Sequence, residues 1–166
     1  MSERFRRGKQ QKARAGQFIG VHPSYGYRCT GRGDRGSGTG AGAGAGQLII
    51  DDAEAELVRM LYYWLIDEQL TIRQILRRLN FGPWFPRSGR RPWSPSVVHH
   101  ILSDPIYAGI AYSNRYEYIA PKKPRARKPG HDRNCCRKLR PKEEWIAIPV
   151  PAIIDQERWE RAQAQL

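Results

Sequence analysis

The sequence predicts an α+β fold: a helix-turn-helix-like three-helix core with short peripheral strands and an extended N-terminal helix. Three observations predict it. Apolar residues recur at helical spacing in three successive stretches, and each stretch opens on a capping signal. Short apolar runs bounded by Gly and Pro surround those stretches and read as strands. The 166 residues, 40% of them hydrophobic and including five Trp and eight Tyr, are enough for one medium domain with a packed core.

Residues 2–15, SERFRRGKQQKARA, read as a polar, basic helix with Phe5 as its main apolar contact, stopped by Gly16. Phe18, Ile19, Val21, Tyr25 and Tyr27 read as extended chain around a Pro23-Ser24 turn. Eight of the sixteen residues 31–46 are Gly. No Lys-Ser/Thr closes that run as in a phosphate-binding loop, so it reads as a flexible hairpin loop.

Leu48, Ile49 and Ile50 form a short strand, and Asp51 with Glu54 resembles a capping box. The helix from about 52 to 67 places Leu57, Val58, Met60, Leu61, Trp64 and Leu65 on one arc, widened by Tyr62, Tyr63 and Ile66. Thr71 with Gln74 makes a second capping box, and Ile72, Ile75, Leu76 and Leu79 follow at i, i+3, i+4, i+7, with Arg73, Arg77 and Arg78 pointing away.

After an aromatic and arginine-rich connector, SPSVVHHIL starts a third helix, with Ser94 as cap and Pro95 at the first position. Val97, Val98, Ile101 and Leu102 fall on one side; Ser96, His99, His100 and Ser103 fall on the other. Asp104-Pro105 ends this helix. Tyr107 to Ile119 reads as a strand pair or one long strand, and 121–142 as a basic, proline-broken arm. Trp145 to Val150 is a further strand, and Asp155 caps a terminal helix with Trp159 and Ala162 inward.

The net charge of +13 points to a polyanionic partner. It is concentrated in three blocks. Residues 3–14 carry six Lys/Arg against Glu3, 71–93 six Arg and no acid, and 121–142 ten basic residues against Asp132. The longest apolar run is the seven residues 60–66, and the N-terminus has no apolar segment, which predicts a cytoplasmic protein without a membrane partner. His131, Cys135 and Cys136 do not make a zinc site, because no second ligand pair appears at suitable spacing. Neither metal nor cofactor is expected.

A capped helix followed by a helix with a small polar outer face is the order of a helix-turn-helix reader, whose last helix reaches base edges in the major groove. Ser96, His99, His100 and Ser103 are the base-reading candidates, since hydroxyl and imidazole groups both donate and accept. The connector of roughly residues 81–93 is longer than the usual turn. Its Arg87, Arg90 and Arg91 are therefore candidates for contacts to the DNA backbone. So are Lys122, Lys123, Arg125, Arg127, Lys128, Arg137, Lys138 and Arg140 of the basic arm.

The stretches RRGKQQKARAGQFIG, YGYR, LIIDDAEAELVRMLYYWLID, TIRQILRRLN, WSPSVVHHILSDPIYAGIAYSNR and EEWIAIPVPAIIDQERWERAQAQL occur in the order seen in large serine recombinases. Over nearly its whole length the chain resembles the recombinase domain of that family. The resemblance implies a domain that binds attachment-site DNA beside the crossover, between a serine-nucleophile domain and a zinc ribbon. It implies residues 1–16 as the end of a longer linker helix and 17–166 as the DNA-binding domain, with the loop at 31–46 and the arm at 121–142. No stretch matches the catalytic domain or the zinc ribbon, so no catalytic residue is carried over. Expected partners are double-stranded DNA and other recombinase subunits.

Three other readings stand beside this one. A free-standing DNA-binding regulator would compete for a recombination site. An RNA-binding module of the sheet type would want aromatics exposed on adjacent strands, whereas most aromatics here lie on helix arcs or beside prolines. An enzyme would need a nucleophile beside an activating base, for which Ser96 and Ser103 with His99, His100 and Asp104 are the candidates.

Overall fold

The computed structural model describes residues 3–17, 23–30, 46–87, 89, 92–119 and 136–166. Among the described residues, five α-helices and six short strands follow in the order α1 (Glu3–Arg14), β1 (Tyr27–Cys29), β2 (Leu48–Ile50), α2 (Asp52–Ile66), α3 (Ile72–Phe81), α4 (Pro95–Ser103), β3 (Ile110–Ser113), β4 (Tyr116–Ile119), β5 (Cys136–Leu139), β6 (Ile146–Pro149) and α5 (Gln156–Gln165). The fold is α+β, and its strands form three separate antiparallel pairs, β1–β2, β3–β6 and β4–β5. No helix among the described residues is long and apolar enough to cross a membrane.

α2 is the central element. Eight of its fifteen residues are buried, among them Leu57, Val58, Leu61, Tyr62 and Trp64. Its cap corrects one expectation. Asp51 accepts from the Glu54 backbone N–H at 3.4 Å, but the Glu54 carboxylate does not return to the cap. It accepts instead from the Gly26 N–H at 2.7 Å. Tyr63 is also displaced from the predicted arc, being 49% exposed.

α3 keeps both halves of its capping box: Gln74 N–H to the Thr71 hydroxyl at 3.4 Å, and Thr71 N–H to the Gln74 side chain at 2.9 Å. Ile75 and Leu79 are fully buried. α5 packs on both α2 and α4 and buries Ala162 completely, so the terminal helix joins the helical core.

The hairpin predicted around the glycine run is present, with Tyr27 opposite Ile50 and Cys29 opposite Leu48. Residues 31–45 and 18–22 lie outside the described residues. At the turn before β1, Gly26 has φ +88, and a Cβ there would meet Ile153 Cδ1 at 2.9 Å and Val58 Cγ2 at 3.2 Å. Both the backbone conformation and the space require glycine.

Tyr107 does not begin a strand. Residues Pro105–Ala108 form a 3-10 turn, ended by Gly109 at φ +96. β3 and β4 do not pair with each other; β3 pairs with β6, and β4 with β5. The predicted arm therefore ends in regular structure, because residues 136–139 are β5 and Lys142–Glu144 make another 3-10 turn.

Buried tyrosine hydroxyls tie these parts together. Tyr27 Oη lies 2.9 Å from the Ile106 carbonyl and 2.8 Å from that of Pro151, and Tyr107 Oη donates to the Tyr25 carbonyl at 2.9 Å. Burial favours the neutral phenol, so all three buried tyrosines, Tyr27, Tyr62 and Tyr107, titrate well above the ordinary phenol range. Tyr25 is pushed up to about 12, mainly by burial and then by the Glu54 carboxylate.

Candidate nucleic-acid interface

α4 begins where the sequence places it. Ser94 has extended backbone and its hydroxyl accepts from the Val97 N–H at 3.3 Å, with Pro95 at the first helical position. Val98, Ile101 and Leu102 are buried at 2% exposure or less. The last carbonyls of a helix lack intrahelical donors, and here side chains from two other helices supply them. Tyr62 Oη reaches the Ile101 and Leu102 carbonyls at 3.3 and 3.1 Å, and Gln163 donates to Leu102 O at 2.8 Å. The inner half and the end of α4 are thus held by α2 and α5.

Ser96, His99 and His100 are exposed, and Ser103 is half-buried. The Ser103 hydroxyl turns back to the His100 carbonyl at 3.5 Å. Val97, assigned to the inner arc from the pattern, is 44% exposed. The helix is too short for a wide apolar stripe, and Val97 sits at the edge of it. The outer face is therefore Ser96, Val97, His99 and His100, a mixture of hydroxyl, methyl and imidazole groups.

His100 Nε2 lies 3.5 Å from Asp104 Oδ2, while Asp104 Oδ1 accepts from the Ile106 N–H at 3.2 Å. Asp104 thus caps the 3-10 turn and flanks the imidazole. The sequence offered Asp104 as a partner for a histidine; its capping of the 3-10 turn was the role not read there. The hydroxyl nearest in sequence to His100, that of Ser103, bonds the His100 carbonyl rather than the ring.

The connector before α4 is fixed by aromatic and polar contacts. Trp93, 2% exposed, donates its backbone N–H to Asn80 Oδ1 at 2.8 Å and its indole N–H to the Trp84 carbonyl at 3.2 Å. Its ring stands edge-on to Tyr25 at 5.4 Å.

Two predicted backbone-contacting arginines are engaged within the fold. Arg87 donates through Nε to Glu54 Oε1 at 2.8 Å and through Nη1 to Pro23 O at 2.7 Å. Its Nη2 reaches both Tyr27 O and Glu54 Oε2. Arg140 pairs with Glu144 at 2.5 Å and Glu117 at 3.4 Å, and only 14% of its side chain is exposed. Arg87 needs a carboxylate 33 residues away, which no local pattern reveals, whereas Arg140 combines one four residues on with one across a strand pair.

Arg137 and Lys138 are exposed on β5. Arg90, Arg91, Lys122, Lys123, Arg125, Arg127 and Lys128 lie outside the described residues. An open groove of about 430 Å³ between α2 and α5, lined by Met60, Tyr63 and Ile154 among others, contains none of the predicted residues.

With this geometry in view, comparison with known proteins is informative. The recombinase family matches residues 52–166. A Bacillus subtilis (strain 168) protein described as "Putative DNA recombinase" is 26% identical over 170 residues, covering 100% of this chain and 31% of its own length. The crystal structure of an LSR–DNA complex superposes with a TM-score of 0.56 at 17% identity, covering 98% of this chain and 38% of that one. A structure concerned with the sequence requirements of the Listeria innocua prophage attP site gives 0.54 at 17% identity, covering 98% and 50%. The chain therefore spans about a third of the curated relative, and these structural likenesses concern the fold.

Proposed function

Because this chain belongs to the recombinase family, we propose that it is the DNA-binding module of a site-specific serine recombination system. It recognises attachment-site duplex and does not cut DNA by itself. The observation that carries this reading is the division of α4. Its inner residues and terminal carbonyls are locked by α2 and α5, while Ser96, Val97, His99 and His100 are presented outward. Short side chains let such a helix sit deep in a major groove about 12 Å wide. Arg90, Arg91, Lys122, Lys123, Arg125, Arg127, Lys128, Arg137 and Lys138 are proposed for the sequence-independent phosphate contacts. Arg87 and Arg140 are proposed to support the fold instead, through their carboxylate and carbonyl partners.

Neutralisation of six to eight phosphates would give log K a slope of about −5 to −7 against log salt. Titration of a duplex from low to moderate salt tests the electrostatic part, and a slope near zero would overturn it. A denaturing gel run after incubation with attachment-site DNA tests the absence of cleavage; a stable protein–DNA adduct would revive a serine nucleophile within this chain.

A further inference from the structure

We propose that Arg73, Arg77 and Phe81, one row along the outside of α3, form a second contact with the same duplex. The two guanidiniums sit on phosphates of the strand beside the groove that α4 enters, and Phe81 lies against the adjoining deoxyribose. The inference rests on the DNA-binding reading and adds a surface to it.

The three residues are spaced by four, so they stack along one face with a rise of about 6 Å between neighbours. Arg73 and Arg77 are exposed, and neither has a carboxylate partner among the described residues. α3 itself contains no acidic residue. A like-charge pair at this spacing weakens an isolated helix, so the row works against the stability of α3. Phe81 is 84% exposed, the highest value among the large exposed hydrophobics of the described residues. An unpaired basic pair ending in a bare phenyl ring matches a sugar–phosphate backbone, which alternates anionic oxygens with apolar sugar faces.

The direction of the row follows from its neighbours. Arg78 faces α2, where it lies 5.1 Å from the Trp64 ring, and pairs at 2.6 Å with Glu68 just past the end of that helix. Asn80 faces the connector, where it accepts the N–H of Trp93, one residue before the α4 cap. With Ile72 at zero and about 100° per residue, Arg78 falls near 240° and Asn80 near 80°. Arg73 and Arg77 then fall near 100° and 140°, nearer the Asn80 edge than the Arg78 side, and Phe81 near 180°, opposite Ile72. The row is continuous with the side from which α4 starts. In helix-turn-helix proteins the helix before the reader crosses the DNA backbone.

The test compares the whole chain with Arg73→Gln/Arg77→Gln and with Phe81→Ala, using mixed-sequence duplexes across a salt series. All three residues are at the surface, so the unfolding temperature should not fall, and the double variant, freed of its like-charge pair, should unfold at the parent temperature or slightly above it, which verifies folding. Losing two phosphate contacts lowers the salt slope by about 2, so between about 50 and 200 mM salt the parent loses roughly tenfold more affinity than the double variant. The weakening is equal on every sequence. Phe81→Ala keeps the slope and binds more weakly at every salt concentration.

A parent that binds with a steep slope, beside a double variant of the same slope and affinity, overturns the row while leaving the DNA reading intact. A loss confined to particular sequences overturns the phosphate assignment. A parent that does not bind duplex at any salt concentration removes the DNA reading itself.

Discussion

At the scale of single residues, α4 separates two kinds of position that the same helix carries. His99 and His100 are exposed, whereas Ile101 is 2% exposed. His99→Ala and His100→Ala should leave thermal unfolding unchanged, and each should lose about 1–3 kcal/mol of preference at one base pair if it makes a good direct contact. Ile101→Ala should instead cost about 2–5 kcal/mol of stability, with binding lost through unfolding. Selection of bound sequences by the parent and by the double histidine variant decides the matter, since recovery of the same site at the same strength would show that α4 is not the reader. The buried half of this helix was legible because its spacing is local. Val97 was misplaced because a pattern cannot say where the edge of a narrow stripe falls. The pairing of Arg87 with Glu54 was not legible because the two are 33 residues apart.

Whole elements were legible where their signals lie within a few residues. The Thr71–Gln74 capping box, the Ser94-Pro95 start and the β1–β2 hairpin all stand as expected. The strands after α4 did not, since choosing β6 as the partner of β3 and β5 as the partner of β4 depends on pairings over long separations. Apolar alternation marks a strand without naming its neighbour. Asp51–Glu54 failed as a full box because a stronger use for the carboxylate, Gly26 N–H and the Arg87 fork, outcompeted the helix end. For α4, the Ser94 hydroxyl is the side-chain acceptor at the N-terminus. Ser94→Ala should lower stability by about 0.5–2 kcal/mol in denaturant unfolding. It should also reduce base discrimination, because the first turn carries Ser96; unchanged discrimination would place the reading contacts further along the helix.

Over the whole molecule, the tyrosine hydroxyls give a pH signature. Tyr27, Tyr62 and Tyr107 are at most 1% exposed and held neutral by burial. Unfolding frees phenols that ionise near pH 10. Below that pH both states keep their protons, and the tyrosines' contribution is fully present. Above it the unfolded chain has lost protons that the folded one retains, so stability falls as pH rises. Three retained protons correspond to about 4 kcal/mol per pH unit, with Tyr25 adding to the loss until it ionises at about 12. Chemical unfolding between pH 9 and about 11.5 should show this decline; a flat profile would mean that these hydroxyls are reached by water.

The bond from Tyr27 to Pro151 also bears on how the chain is made. Tyr27 and its acceptor are 124 residues apart, and Ile153 and Ile154 close on the Tyr107 carbonyl in the same region. A ribosome adding about 5–20 residues per second takes roughly 6–25 s to cover that interval. During that time the first hairpin has left the exit tunnel while the strand-and-turn segment that seals it does not yet exist. The nascent chain must therefore carry an open, tyrosine-rich flank until Pro151 has emerged. The hairpin is sealed from the C-terminal side of this domain inward.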